Sequence, residues 1–107
     1  MFPYELREGS KIFIVTWYNG YPQLIIYEVI SLNIVYDTLY EKNGGYTAIT
    51  AVNLVTSVKT MIIFWNDVNL EEGESGVNLF RTTNEQLAVK KFEETLKTNS
   101  SQETPKT

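Results

Sequence analysis

A chain of 107 residues, 43% of them hydrophobic, makes one domain whose stability rests on a single well-filled core. The absence of Cys and His removes disulfides, thiolate chemistry, the usual zinc and iron ligand sets and the one side chain that titrates near neutrality. The net charge of −4 lies wholly in residues 1–81, where Arg7, Lys11, Lys42, Lys59 and Arg81 face nine carboxylates, so the β-rich part lacks the clustered cations that follow a phosphate backbone.

Residues 1–10 read as a lead-in, in which Phe2 and Tyr4 are placed to pack, closed by the polar turn Arg7-Glu8-Gly9-Ser10. The stretch from Lys11 to Tyr40 organises the rest. KIFIVTWY sets Ile12, Phe13, Ile14, Val15 and Trp17 on a first strand, because β-branched and aromatic side chains fit a pleated, half-buried surface. Asn19-Gly20 reverses the chain, and Pro22 argues for a turn longer than two residues. In QLIIYEVISL the alternation is imperfect, with Leu24, Ile26, Glu28 and Ile30 on one face and Ile25, Tyr27 and Val29 on the other. Glu28 makes the second set the inward one. Ile26 and Ile30 still leave the outer face too apolar for plain solvent, which calls for a second cover from the C-terminal helix or from another protein chain.

NIVYDTLYE at 33–41 is either a separate strand or the far half of a long, bent one, with Tyr36 and Tyr40 on one face. Lys42-Asn43-Gly44-Gly45 is a second reversal, and Tyr46 to Val52 returns as a strand. SVKTMIIFW at 57–65 is the last long strand, with Val58, Thr60, Ile62 and Phe64 on one side and Lys59, Met61, Ile63 and Trp65 on the other. Residues 66–76 read as a solvated acidic loop, and VNLFRT as a short strand. Thr82 with Glu85 forms a capping box for a helix to about Lys97, and Ala88, Phe92 and Leu96 set one stripe of it against the sheet. The single domain then covers residues 1–97, and residues 98–107 form a disordered polar tail.

The sum is a mainly β fold: a small antiparallel SH3-like or OB-like barrel of five to six strands with one C-terminal α-helix. Closure removes the strand edges that an open sheet of this size leaves bare. An open antiparallel sheet packed on the helix is the alternative.

Chemistry has few places to reside. Asp67, Asn69 and Glu71 stand at positions 1, 3 and 5 of a calcium-type loop, but the glycine falls at 7 instead of 6 and no glutamate arrives at 12. Glu28 and Asp37 lie on neighbouring strands without a spacing that brings them to one cleft. No catalytic residue, metal ligand or cofactor is expected, and the reading is non-enzymatic. The aromatic side chains carry more information. Trp17, Tyr18, Tyr21, Tyr36, Tyr40, Tyr46 and Trp65 are the binding candidates, with Tyr27 in the same array, although tyrosine is also frequent on the outer face of ordinary sheets. Small barrels stack single-stranded nucleic acid on such platforms and bind proteins through the same kind of surface. Acidic charge repels the phosphate backbone and favours a protein partner with a basic surface. A homodimer through the Ile26/Ile30 or the Met61/Ile63/Trp65 face accounts equally well for strands that are apolar on both sides. Without a long uncharged apolar run or a leader-like start, a cytoplasmic protein without a membrane anchor is expected.

The order polar turn, Gly9, strand KIFIVTW, turn, long strands, then LFRTTNEQLAVKKFEETL resembles the small uncharacterised proteins of bacteriophages and related mobile elements. In these an SH3-like β-barrel ends in a strand closing with Phe-x-Thr, then Glu and a short helix. The correspondence spans residues 9–97 and rests on Gly9, Phe80, Thr82, Glu85 and Ala88; the chain departs from it by Leu87 and Ala88 after Gln86 and by a longer loop at 66–76. The resemblance implies no catalytic residues. It implies a viral origin, a place in the host cytoplasm, and a role as an accessory factor or as an inhibitor occupying a nucleic-acid-binding surface on a host protein.

Overall fold

Among the described residues six strands and a helix follow one another as β1 (Lys11–Tyr18), β2 (Tyr21–Val35), β3 (Tyr46–Asn53), β4 (Lys59–Trp65), β5 (Glu74–Gly76), β6 (Leu79–Thr82) and α1 (Glu85–Glu103). The computed structural model describes residues 6–18, 21–35 and 44–103, with only the backbone for Tyr18 and residues 98–103. The Phe2-Pro3-Tyr4 lead-in, the Asn19-Gly20 turn, Asp37 and the tyrosines Tyr36 and Tyr40 lie outside the described residues. The strands form one antiparallel sheet in the order β4-β3-β2-β1-β6-β5, curled into a half-barrel. The mainly β fold with its closing helix is thus present, with β4 and β5 as the two ends of the curl.

Two hydrophobic clusters occupy opposite faces of this sheet. Inside the curl, Ile12 and Ile14 of β1, Val29 of β2, Ile49 and Ala51 of β3, and Ile62 and Phe64 of β4 pack with Leu6 and Leu70. On the other face, Phe13 and Val15 of β1 and Phe80 of β6 pack with Ala88 of the helix, and Trp17, Leu24, Ile26, Leu87 and Phe92 surround them. β1 is therefore covered on both sides, which is why its sequence is apolar at nearly every position. The second cover that Ile26 requires is α1, which packs on β1, β2 and β6.

β2 explains its own broken alternation. Val29 pairs with Ala51 and Ser31 with Thr50, so Ile30 is an extra residue, a β-bulge, between two regular ladders. Before the bulge Tyr27 and Val29 pack inward. After it Leu32 packs inward, and Ile34 shares that face through its pairing with the buried Thr47. Residues 33–35 belong to this one long strand, its two halves joined at the bulge.

Four local expectations are corrected. The helix is capped by Asn84, whose Oδ1 accepts the Leu87 N–H at 3.2 Å. Thr82 is buried instead: its hydroxyl donates to the Leu70 carbonyl at 2.6 Å and accepts the Asn84 N–H at 3.0 Å. Its side chain thus locks the strand-to-helix corner from inside, two residues ahead of the cap. The helix also continues past Lys97 to Glu103, because nothing before Pro105 forces it to stop. Third, the acidic loop is not wholly irregular, since Glu74–Gly76 adds β5 to the sheet. Fourth, Val58, set by the sequence pattern on the strand side shared with Ile62 and Phe64, lies ahead of β4 and is exposed.

Candidate functional site: the outer face of β3 and β4

The helix covers the outer face of only half the sheet. β4 runs along the other half, and its period of two sends Ile62 and Phe64 into the core and Lys59, Met61, Ile63 and Trp65 outward. Met61 is 66% exposed, Ile63 52% and Trp65 43%. Directly opposite on β3 stand Thr50, Ala48 and Tyr46 in that order, so Tyr46 is the cross-strand partner of Trp65. One strand further, Val35 pairs with Tyr46, extending the apolar end of the patch onto β2. The result is a band of Met61, Ile63, Trp65, Tyr46 and Val35 on one face.

The Trp65 end of this band is held by Asn66. Its Oδ1 accepts the Thr47 hydroxyl at 2.6 Å, and its amide nitrogen donates to the Gly44 carbonyl at 2.9 Å and the Val35 carbonyl at 3.3 Å. A single side chain thereby ties the ends of β2, β3 and β4, which fixes the backbone carrying Tyr46 and Trp65.

Of the candidate aromatics, then, the fold brings Tyr46 and Trp65 together. Trp17 lies apart, half-buried against the helix, where it lines a recess of about 270 Å³ with Lys91, Glu94 and Thr95. Tyr21 is exposed at the start of β2, its backbone paired with Tyr18. Tyr27 packs on the inner core and so serves the fold. Met61 and Ile63 were legible as an outward apolar pair from alternation alone. That they stay uncovered depends on where the helix lands, which no local pattern states.

Elsewhere the described residues hold little that resembles a reaction centre. A cleft of about 460 Å³ is bordered by Leu6, Arg7, Glu8, Ser31 and Leu32. Asn69 turns the acidic loop on itself, accepting the Glu71 N–H and donating to the Glu72 carboxylate. Among the described residues no three His, Cys, Asp or Glu side chains come together as metal ligands, and no helix is long and apolar enough to cross a membrane. Set beside known proteins, the chain matches no family model, no curated protein and no solved structure.

Proposed function

We propose that this protein is a non-enzymatic protein-interaction module that binds through the outer face of β3 and β4. The observation that carries the reading is the row of exposed Met61, Ile63 and Trp65 beside Tyr46 on one face of the sheet. A contiguous apolar patch with aromatic anchors is the usual composition of a protein-binding surface. Net charge directs the choice between partners. At −4 overall, with Asp67 exposed just beyond Trp65, the surface repels a phosphate backbone and suits a protein carrying basic residues. The more particular role of a phage accessory protein or inhibitor of a host protein rests on the sequence resemblance.

Titration against single- and double-stranded DNA and RNA at low salt tests this reading, because charge-driven binding is strongest there. No binding is expected. Micromolar affinity that falls steeply with added salt would replace the protein-binding reading with nucleic-acid binding.

A further inference from the structure

We infer that the occupant of the outer β3–β4 face is a second copy of the chain, stacked face to face and turned end for end. This rests on the protein-binding reading and names its partner. The edge of β4 is already spanned, because Arg81 reaches over it to the Ile63 carbonyl and the Phe64 ring. What stands exposed is the face, and only a layer laid upon it removes Met61, Ile63 and Trp65 from solvent together. Two sheets stack in this way about 10 Å apart, with their strands within about 30° of each other. The Arg81 clasp stays in place.

Three cross-strand rows make up the face: Tyr46 with Trp65, Ala48 with Ile63, and Thr50 with Met61. It tapers, from two large aromatic side chains at one end to a threonine beside a slender thioether at the other. None of these side chains is charged, but the ends differ in sign: exposed Lys59 precedes Met61, and exposed Asp67 follows Trp65. A two-fold axis lying in the contact plane, across the strands at the Ala48/Ile63 row, answers both features. It sets the Tyr46/Trp65 row of each copy on the Thr50/Met61 row of the other, and brings Lys59 to the end where the other copy holds Asp67. Stacking the copies with their strands parallel would instead put aromatic row on aromatic row and Lys59 on Lys59. The basic group that an acidic chain favours in a partner is therefore Lys59 of the other copy. An unrelated protein would need the same taper reversed and the same two charges exchanged, which this face turned around already supplies. Because the face is the outer side of a curl, contact is confined to β3 and β4. It falls short of the about 800 Å² per partner of a standard interface, which places association in the micromolar range. The contact consumes the face on both copies, so assembly closes at two.

Sedimentation equilibrium over about a hundredfold range of micromolar concentration tests the association. The mass is expected to rise from 12.3 kDa toward twice that value. Ile63→Lys, a change at an exposed site on the axis, should hold it at the monomer mass with an unchanged circular dichroism spectrum. Orientation is read by charge reversal. Lys59→Glu alone and Asp67→Lys alone should each weaken association about tenfold, because two symmetric end pairs turn repulsive. The double variant Lys59→Glu/Asp67→Lys should recover the wild-type association, since every end pair is again opposite in sign. A wild-type mass that stays constant, a dimer indifferent to Ile63→Lys, single reversals without effect, or a double variant no tighter than the singles would each overturn the inference. A constant mass removes only the second copy and leaves another protein as the occupant, whereas nucleic-acid binding in the titration above removes the reading beneath it.

Discussion

The guanidinium of Arg81 lies 4.3 Å from the centroid of the Phe64 ring, so a side chain from β6 ends on a core residue of β4 across the open side of the half-barrel. The same group pairs with the Glu74 carboxylate on β5 and donates to the Ile63 carbonyl. Arg81 thus does with a side chain what a β4–β5 ladder would do with backbone. It is 16% exposed, buried enough for its loss to strand Glu74.

Arg81→Met keeps most of the packing and removes the charge. It is expected to lower stability by about 2 kcal/mol in urea denaturation, below the figure for a fully buried pair because both partners retain some solvent. Adding Glu74→Gln should cost less on the Arg81→Met background than on wild type, a coupling that a double-mutant cycle measures directly. Full additivity would mean that the two residues act independently.

Gly73 has φ +92°, and a Cβ there would run into the Phe80 ring. Gly9 has nearly the same φ, +90°, with nothing within 4 Å of a Cβ. Gly9→Ala should therefore show the backbone penalty alone, about 1 kcal/mol, and Gly73→Ala about 3 kcal/mol as the ring is displaced from the helix-side core. Equal losses in thermal or urea unfolding would contradict the contact.

At the strand-to-helix corner two polar residues have separable roles. Asn84→Ala removes the cap and is expected to cost about 1 kcal/mol. Thr82→Val preserves shape but deletes a buried donor to Leu70 and an acceptor for Asn84, so its expected cost is about 1–2 kcal/mol. Helix content at moderate temperature should fall first in the Asn84 variant, while the Thr82 variant should unfold as one unit at lower denaturant.

β4 should respond to alanine with a period of two. Phe64→Ala is expected to cost about 3–5 kcal/mol, because that ring is almost completely buried in the inner cluster. Met61→Ala should stay within about 0.5 kcal/mol when measured on dilute monomer. A scan without this alternation would mean that the outer face is covered in the isolated chain.

Alternation and turn residues made the strands and the two faces of β4 readable from the residues alone, and a helical stripe made the helix readable, although only its Ala88 and Phe92 pack on the sheet while Leu96 stays exposed. They also gave the inward set Ile25, Tyr27 and Val29, of which Tyr27 and Val29 pack in the inner cluster. What escaped them involves distance along the chain. The site of Leu70, whose carbonyl binds Thr82, is what turns an apparent cap into a buried clasp. Arg81 reads as an ordinary strand cation until the curl brings Phe64 beneath it. β5 is three polar residues that only their partners on β6 define as strand. Tyr46 and Trp65 stood in one roster with Trp17 and Tyr21, and only strand pairing separates the outer face of β4 from the helix side of β1.

The bulge at Ile30 makes β2 unusual in how it would tolerate changes of length. Excising any other residue from the strand's interior would move everything beyond it onto the opposite face, exposing one set of apolar side chains and burying the polar set. Excising Ile30 would not. Val29 would be followed directly by Ser31, the pairings Val29–Ala51 and Ser31–Thr50 would become consecutive, and Leu32 would keep its place in the core. What would disappear is the local bend and added twist that a bulge imparts. Ile30 therefore governs the curvature of the half-barrel, and with it the width of the gap that Arg81 has to span, while the identity of the buried residues is settled elsewhere.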